Sequence, residues 1–208
     1  MDIEQAKKSG KQKILEEAIK LFAAKGFTET TMRELAAASG MKESSIYNHF
    51  SSKNAILDYI IDEYSQFTRP VLELDKLSAL KDNPSADGII ACLSLVFPEG
   101  RVEYFLNELY VILHEQHRNP VVKKFMTEDY IMGNEKVVKS IINALIDYGV
   151  IRADTDPDFW AKMHSCLIYT FASRLMLGIG DSDPGFSGMG MSEMLHNMYE
   201  LLLKTQGV

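Results

Sequence analysis

The chain has 208 residues, of which 46% are hydrophobic and 25% are charged, and its net charge of −7 excludes a protein that coats nucleic acid through bulk positive charge. Residues 1–54 carry nine Lys or Arg against seven Asp or Glu, a net charge of +2, whereas the remainder carries thirteen against twenty-two, a net charge of −9. This asymmetry favours a small nucleic-acid-binding head on an acidic body.

Residues 11–25 are predicted to form the first helix, because apolar residues recur there at steps of three and four. Residues 30–53 follow as two short helices joined by a tight turn at Gly40, where glycine can adopt a left-handed conformation. Thr30 and Thr31 are candidates for the N-cap of the first of these short helices. The pattern is typical of a helix-turn-helix.

A fourth helix is predicted after a cap at Ser52 and runs to about Phe67, so it links the head to everything beyond. Helical apolar periods then recur along the chain, and the segment 121–148 fits one long helix or two collinear helices around Gly133. No segment shows convincing strand alternation. The predicted fold is therefore all-α, with a three-helix head over residues 1–55, a larger helical body over residues 56–208 and about nine helices in total.

The start of the third helix carries short polar side chains, which a recognition helix needs if its backbone is to approach the major groove closely. Arg33 of the preceding helix is a candidate for bidentate recognition of guanine. Glu43 either accepts a hydrogen bond from cytosine, pairs with the neighbouring lysine or stabilises the helix start. The candidates for contact with DNA at this helix are Lys42, Glu43, Ser44, Ser45 and Asn48.

A single head contacts too few base pairs for useful specificity, so we expect two heads to act together. The predicted helix 159–177 is apolar nearly all round and must be covered on both sides. Pairing it and the last helix, 191–204, with their symmetry mates gives a four-helix bundle and a homodimer, and the alternative is a monomer whose late helices are simply core. The predicted interface residues are Phe171, Leu175, Met191, Met194, Leu195, Met198 and Leu202.

No catalytic motif, metal motif or cofactor-binding motif is present, so we expect neither an enzyme nor a bound cofactor. His114 and His117 lie three residues apart around Glu115, whereas a zinc-protease helix needs its histidines four apart. Cys92 and Cys166 are expected to be reduced, as in cytoplasm. Two alternative functions stay open. One is a regulator that senses a metal or a redox change, and the other is a helical protein that binds a partner and responds to no effector.

The N-terminus lacks the apolar run of a secretory signal, and the apolar stretch 163–173 is too short to span a bilayer. We therefore expect a cytoplasmic protein without a membrane anchor.

The first 55 residues resemble the DNA-binding domain of the TetR family of transcriptional regulators. The residues that carry the resemblance are Ala18, Phe22, Gly26-Phe27, Thr30-Thr31, Leu35-Ala36, Gly40-Met41, Ile46-Tyr47-Asn48-His49-Phe50 and Ser52-Lys53. The resemblance implies a homodimeric regulator, typically a repressor, that is released from its operator by a small effector. It also implies that the phosphate contacts lie at Thr31, Tyr47, His49 and Lys53, and the alternative for His49 is that it packs between helices.

The resemblance further favours an effector pocket in the body, for which a closed core is the alternative. Aromatic and thioether side chains would suit a flexible or flat, mostly apolar effector. The candidates for lining the pocket are Phe105, Tyr110, Met126, Tyr130, Met163 and Tyr169.

Overall fold

The computed structural model describes residues 9–68, 72–93, 102–177 and 190–208. Within these ranges the protein contains eleven α-helices and one π-helical segment, and no β-strand. The predicted all-α fold class, with a helix-turn-helix head and a helical body, is confirmed. The elements are α1 (Gly10–Lys25), α2 (Met32–Ala38), α3 (Glu43–Ile46), α4 (Lys53–Thr68), α5 (Leu74–Ala79), α6 (Ala86–Cys92), α7 (Val102–Glu115), α8 (Pro120–Lys124), the π-helical segment (Phe125–Ile131), α9 (Met132–Asp147), α10 (Pro157–Met176) and α11 (Met191–Gln206).

The chain divides into two compact units. Unit 1 comprises residues 1–67 and 97–125, and unit 2 comprises residues 68–96 and 126–208. Unit 1 therefore joins α4, α7 and α8 to the three helices of the predicted head. The functional division into residues 1–55 and 56–208 stays a prediction.

Unit 1 is built on helix ends that the local sequence specifies. The Ser9 hydroxyl accepts a hydrogen bond from the amide of Gln12 at the start of α1, and the Ser52 hydroxyl accepts one from the amide of Ala55 at the start of α4. The predicted cap at Ser52 is thus confirmed. The largest fully buried side chains of helices α1 to α4 are Ile14, Ile19, Phe22, Leu35, Ile46, Ile56, Leu57 and Ile60.

Unit 2 has its own core, in which α9 packs against α10 and α6 packs against α11. Asp156 caps α10, since its carboxylate accepts hydrogen bonds from the amides of Asp158 and Phe159. A buried polar pair joins α10 to α11, with 2.9 Å between His164 Nδ1 and the Tyr199 hydroxyl. Burial lowers the pKa of His164 to about 4 and raises that of Tyr199, so both groups are neutral at pH 7.

Residues 120–147 form α8, the π-helical segment and α9 in immediate succession, as the apolar period of residues 121–148 predicts. The π-helical segment is the departure from that prediction, and it ends shortly before Gly133. The side chain of Asn134 donates a hydrogen bond to the Tyr130 carbonyl within it, at 2.5 Å. No helix in the described part of the chain is long and apolar enough to cross a membrane.

Candidate nucleic-acid interface

The start of α2 is fixed by a capping box. The Thr31 hydroxyl accepts a hydrogen bond from the amide of Glu34 at 3.2 Å, and the Glu34 carboxylate accepts one from the amide of Thr31 at 2.8 Å. Lys25 at the end of α1 lies 2.6 Å from the same carboxylate. Lys25 and the Thr31 groups together lower the pKa of Glu34 to about 2, so the carboxylate stays ionised in any ordinary buffer.

The turn between α2 and α3 has the geometry that Gly40 allows. Its φ is +66°, a conformation that costs side-chain-bearing residues energy. The amide of Met41 donates to the Ala36 carbonyl at 2.9 Å and the amide of Gly40 donates to the Ala37 carbonyl at 3.2 Å. These two bonds satisfy the last carbonyls of α2 as a Schellman motif and set the direction of the chain into α3.

The second helix of the motif is shorter than the sequence suggests, because α3 is regular only over Glu43–Ile46 and continues as a turn. Within the turn, the amides of His49 and Phe50 still donate to the Ile46 carbonyl at 2.8 and 2.9 Å. Ile46 and Phe50 lie four residues apart and are both buried, so this side of the segment faces inward.

The side chains predicted to contact DNA lie on the outer side of this motif. Ser45 is half-buried, and the exposed ones are Thr31, Arg33, Lys42, Glu43, Ser44, Tyr47, Asn48 and His49. His49 also packs at the start of α1, since a Cβ atom on Gly10 would lie only 2.9 Å from its Nε2 atom. The individual DNA contacts of these residues stay predictions.

Lys53, the first residue of α4, binds the loop between α1 and α2. Its ammonium donates hydrogen bonds to the carbonyls of Phe27, Thr28 and Thr30 at 2.6, 3.0 and 2.7 Å, which engages all three of its N–H groups. The ammonium also lies 4.5 Å from the centroid of the Phe27 ring, and partial burial lowers its pKa. A direct phosphate contact at Lys53 would require it to give up one of these bonds.

Sequence reasoning missed a second contact to the same loop. Glu115, the last residue of α7, is 3% exposed, and its carboxylate accepts a hydrogen bond from the amide of Phe27 at 3.4 Å. The His114 ring nitrogen lies 3.3 Å from the same carboxylate. Because 88 residues separate Phe27 from Glu115, no local pattern in the sequence signals this pairing.

The residues predicted to line an effector pocket are distributed over both units. Phe105 and Tyr110 lie on α7 in unit 1, where Phe105 is buried and Tyr110 is half-buried. In unit 2, Met126 is buried, Tyr130 and Tyr169 are half-buried, and Met163 is exposed. Of these six residues, Tyr130 lines a small cleft within unit 2. The effector pocket as a whole stays a prediction.

The predicted dimer-interface residues lie mostly inside unit 2. Phe171 and Met191 are half-buried, the side chain of Leu175 lies outside the described residues, and the buried ones are Met194, Leu195, Met198 and Leu202. The exposed large apolar side chains of the same two helices include Phe159 (52%), Met163 (38%) and Leu201 (54%). The apolar period identified these helices, but it did not separate the residues that face the core from those that face outward.

Within the described residues, no group of three or more His, Cys, Asp or Glu side chains is arranged to hold a metal ion. Cys92 and Cys166 are free thiols, the first buried in α6 and the second exposed on α10. Burial raises the pKa of the Cys92 thiol.

Comparison with known proteins agrees with this geometry. The family model for bacterial regulatory proteins of the tetR family matches residues 14–60, which span α1 to the first half of α4. The HTH-type transcriptional regulator YerO of Bacillus subtilis is 45% identical over 47 residues, a match that covers 23% of this chain but only 16% of that relative. The nucleoid occlusion factor SlmA of Escherichia coli is 29% identical over 141 residues, which cover 59% of this chain and 71% of SlmA.

The fold similarity extends over nearly the whole chain. The crystal structure of the TetR family transcriptional regulator PfmR from Thermus thermophilus matches with a TM-score of 0.62 and 20% identity, covering 97% of this chain and 98% of that one. The family match thus falls on the capped helix-turn-helix, and the fold match includes the helical body. Residues 14–60 thus match the DNA-binding region of the tetR family of bacterial regulatory proteins, and the chain as a whole shares the fold of a TetR family transcriptional regulator.

Proposed function

We propose that the protein is a cytoplasmic repressor that binds a pseudo-palindromic operator as a homodimer and is released by a small, mostly apolar effector. The observation that carries this proposal is the polar outer surface of α3. The helix before it is fixed at its start by the capping box, and its end and the turn into α3 are fixed by the Schellman motif. A rigid frame with short polar side chains is what reading of the major groove requires. No catalytic role is part of the proposal.

We assign two kinds of DNA contact to this surface. Ser44 and Asn48 are exposed and short enough to reach base edges, so they would determine sequence preference. Tyr47, which is 49% exposed, and Lys42 would contact phosphates and position the head without reading sequence. Glu43 sits in the first turn of α3, where a carboxylate is favourable to the helix and close to Lys42.

Selection of bound DNA from a random pool tests this assignment. The selected operator should contain two half-sites one helical turn apart, because the two heads of a homodimer read it symmetrically. Asn48→Ala should weaken operator binding roughly 5- to 150-fold and relax preference at one base pair, as loss of a base contact does. Lys42→Ala should weaken binding to all sequences alike and reduce the salt dependence. Equal behaviour of the two variants would contradict the division into readers and positioners.

The proposed dimer uses the exposed apolar residues of the last two helices. Phe159, Met163 and Cys166 follow one another at steps of four and three, so they lie along one exposed face of α10. Leu201 on α11 is exposed as well. Covering these three large apolar side chains of each chain with a second copy is favourable by about 1.5–3 kcal/mol for each side chain that becomes fully buried.

The oligomeric state of two variants tests this surface. Phe159→Glu and Leu201→Glu should convert the dimer to a monomer in sedimentation and should reduce operator binding at least 100-fold. Leu106 is an exposed apolar residue of α7, and Leu106→Glu should leave the dimer intact. Mild oxidation should cross-link two copies through Cys166, and Cys166→Ser should abolish the product while Cys92→Ser should not. A monomer that binds the operator with full affinity would refute the proposal.

A further inference from the structure

Unit 2 contains a cleft between the π-helical segment, α9 and α10. Its lining residues are Tyr130, Ile131, Asn134, Ser165 and Ile168, and we call it the Ser165 cleft. The empty space amounts to about 180 Å³ including the part open to solvent, and the centres of water-sized molecules can occupy about 10 Å³ of it. The deep part therefore has room for roughly one water molecule or one small polar group.

The Ser165 hydroxyl is the unusual feature of this cleft. Ser165 is 9% exposed, and no described residue forms a hydrogen bond with its hydroxyl oxygen. A buried hydroxyl without a partner costs free energy, so a site that retains one is expected to receive its partner from outside the chain. By contrast, Ser173 on the same helix donates to the Tyr169 carbonyl at 2.8 Å.

The opposite wall of the cleft is shaped by the π-helical segment. Such wide turns occur often at functional sites, because they displace backbone groups from the regular helix pattern. Here the Tyr130 carbonyl accepts the hydrogen bond from Asn134 Nδ2, and Asn134 is 7% exposed. The Asn134 side chain is thereby held beside the cleft with its amide oxygen as an available acceptor.

The remaining walls are apolar. Ile131 and Ile168 are the branched aliphatic residues of the lining, and Tyr130 is its aromatic residue. None of the lining side chains carries a charge at pH 7. A charged group placed here would lose its hydration without an opposite charge to compensate, so the lining disfavours carboxylates and ammonium groups.

From these observations we infer that the Ser165 cleft binds the single hydroxyl or carbonyl group of an uncharged, otherwise apolar molecule. The polar group occupies the deep part beside Ser165 and Asn134, and the apolar body lies against Ile131 and Ile168 towards solvent. This inference deepens the proposed function, because it gives the effector a chemical class and an anchoring point. An ordered water in the deep part is the competing occupant.

Titration of the full chain with four matched probes tests the inference. Cyclohexanol and cyclohexanone are neutral, and cyclohexanecarboxylate and cyclohexylammonium carry the same ring with a charge. In protein with labelled isoleucine methyl groups, the two neutral probes should shift the Ile131 and Ile168 signals saturably, and the charged probes should bind at least tenfold more weakly. Absence of shifts with the neutral probes, or equal binding of the charged ones, leaves water as the occupant and overturns the inference.

A matched pair of variants then locates the polar contact. Ser165→Ala should weaken cyclohexanol binding roughly 5- to 30-fold, which is the effect of one hydrogen bond, and Ser173→Ala should change it less than twofold. Equal binding by Ser165→Ala and the unaltered protein would remove Ser165 from the site. The probe series on the unaltered protein remains decisive should a variant not fold.

Operator binding with and without saturating cyclohexanol separates the site from its regulatory role. A loss of operator affinity on addition of the probe supports the cleft as an effector site. Methyl shifts with unchanged operator affinity overturn its regulatory role. If the protein without probe binds no operator, the proposed function is refuted. The binding of neutral molecules in the cleft is then tested by the methyl shifts alone.

Discussion

Two buried or half-buried polar groups, one in each unit, differ in how completely their hydrogen bonds are satisfied. In unit 1 the Lys53 ammonium engages all three N–H groups with the loop between α1 and α2. In unit 2 the Ser165 hydroxyl finds no partner among the described residues. A satisfied group makes its surroundings rigid, and an unsatisfied one leaves a position that a ligand can complete. Under the proposed function, this contrast gives the helix-turn-helix a fixed shape and leaves the body a position that an effector could complete.

Replacing Lys53 gives the largest expected effect on the satisfied side of this comparison. Lys53→Met keeps most of the length of the side chain but leaves three carbonyls without their donor, so the free energy of unfolding should fall on the order of 3 kcal/mol. Urea denaturation measures the change, and Lys42→Met on the exposed surface provides the control, expected within about 0.5 kcal/mol. If Lys53 instead contacts phosphate, Lys53→Met should leave stability unchanged and reduce the salt dependence of operator binding.

The buried His164–Tyr199 pair predicts a pH dependence of stability. Burial places the pKa of folded His164 at about 4, below the 6.5 of an unfolded chain, so the neutral form is favoured by folding. The contribution of this group is therefore complete above pH 6.5 and is lost as the pH falls from 6.5 through 4, by about 3 kcal/mol in total.

The measurement is urea denaturation at several pH values between 7 and 4. His164→Gln, which does not titrate, should show a shallower loss than the unaltered protein, and His117→Gln at an exposed position should follow the unaltered protein. Identical pH profiles for His164→Gln and the unaltered protein would show that His164 does not resist protonation in the fold.

The capping box of α2 predicts a smaller effect. Thr31→Ala removes the hydroxyl that accepts from the Glu34 amide, and the unfolding free energy should fall by about 1 kcal/mol. Thr31→Ser keeps the hydroxyl and should recover most of the loss. Thermal denaturation of the two variants checks this, and equal destabilisation by both would show that the methyl group rather than the cap is responsible.

The smallest expected effect contrasts two serines of α10. Without ligand, Ser165→Ala removes an unpartnered hydroxyl and should be neutral or stabilising by up to about 1 kcal/mol, whereas Ser173→Ala loses a hydrogen bond to the Tyr169 carbonyl and should destabilise slightly. Paired chemical denaturation curves resolve the sign of each change. A clear destabilisation by Ser165→Ala would mean that its hydroxyl already has a partner, and the comparison between the units would fail.

The sequence was sufficient for features that depend on neighbours along the chain. The cap at Ser52 and the turn at Gly40 are local, and the structure agrees with both of them. Local patterns are reliable here because helix ends and helix faces are determined within a few residues.

Features that depend on distant residues could not be predicted. The Lys53 ammonium reaches carbonyls 23 to 26 residues away, and Glu115 reaches an amide 88 residues away. The apolar stripe of α11 likewise did not show that Leu202 faces the core while Leu201 faces outward. Such pairings follow from the packing of whole helices, which periodicity does not encode.

The π-helical segment has a consequence for the direction in which side chains point along the helical stretch of residues 120–147. Met126 and Val138 are both buried in unit 2, yet in a plain α-helix the twelve steps between them would turn the chain about 120° past a common face. The wider turn absorbs about one residue, or about 100°, and brings the two side chains nearly into line. If the chain had one residue fewer between Met126 and Val138, a regular α-helix would place both side chains on the same buried face. The inward face of this helix is therefore set by chain length as much as by residue type.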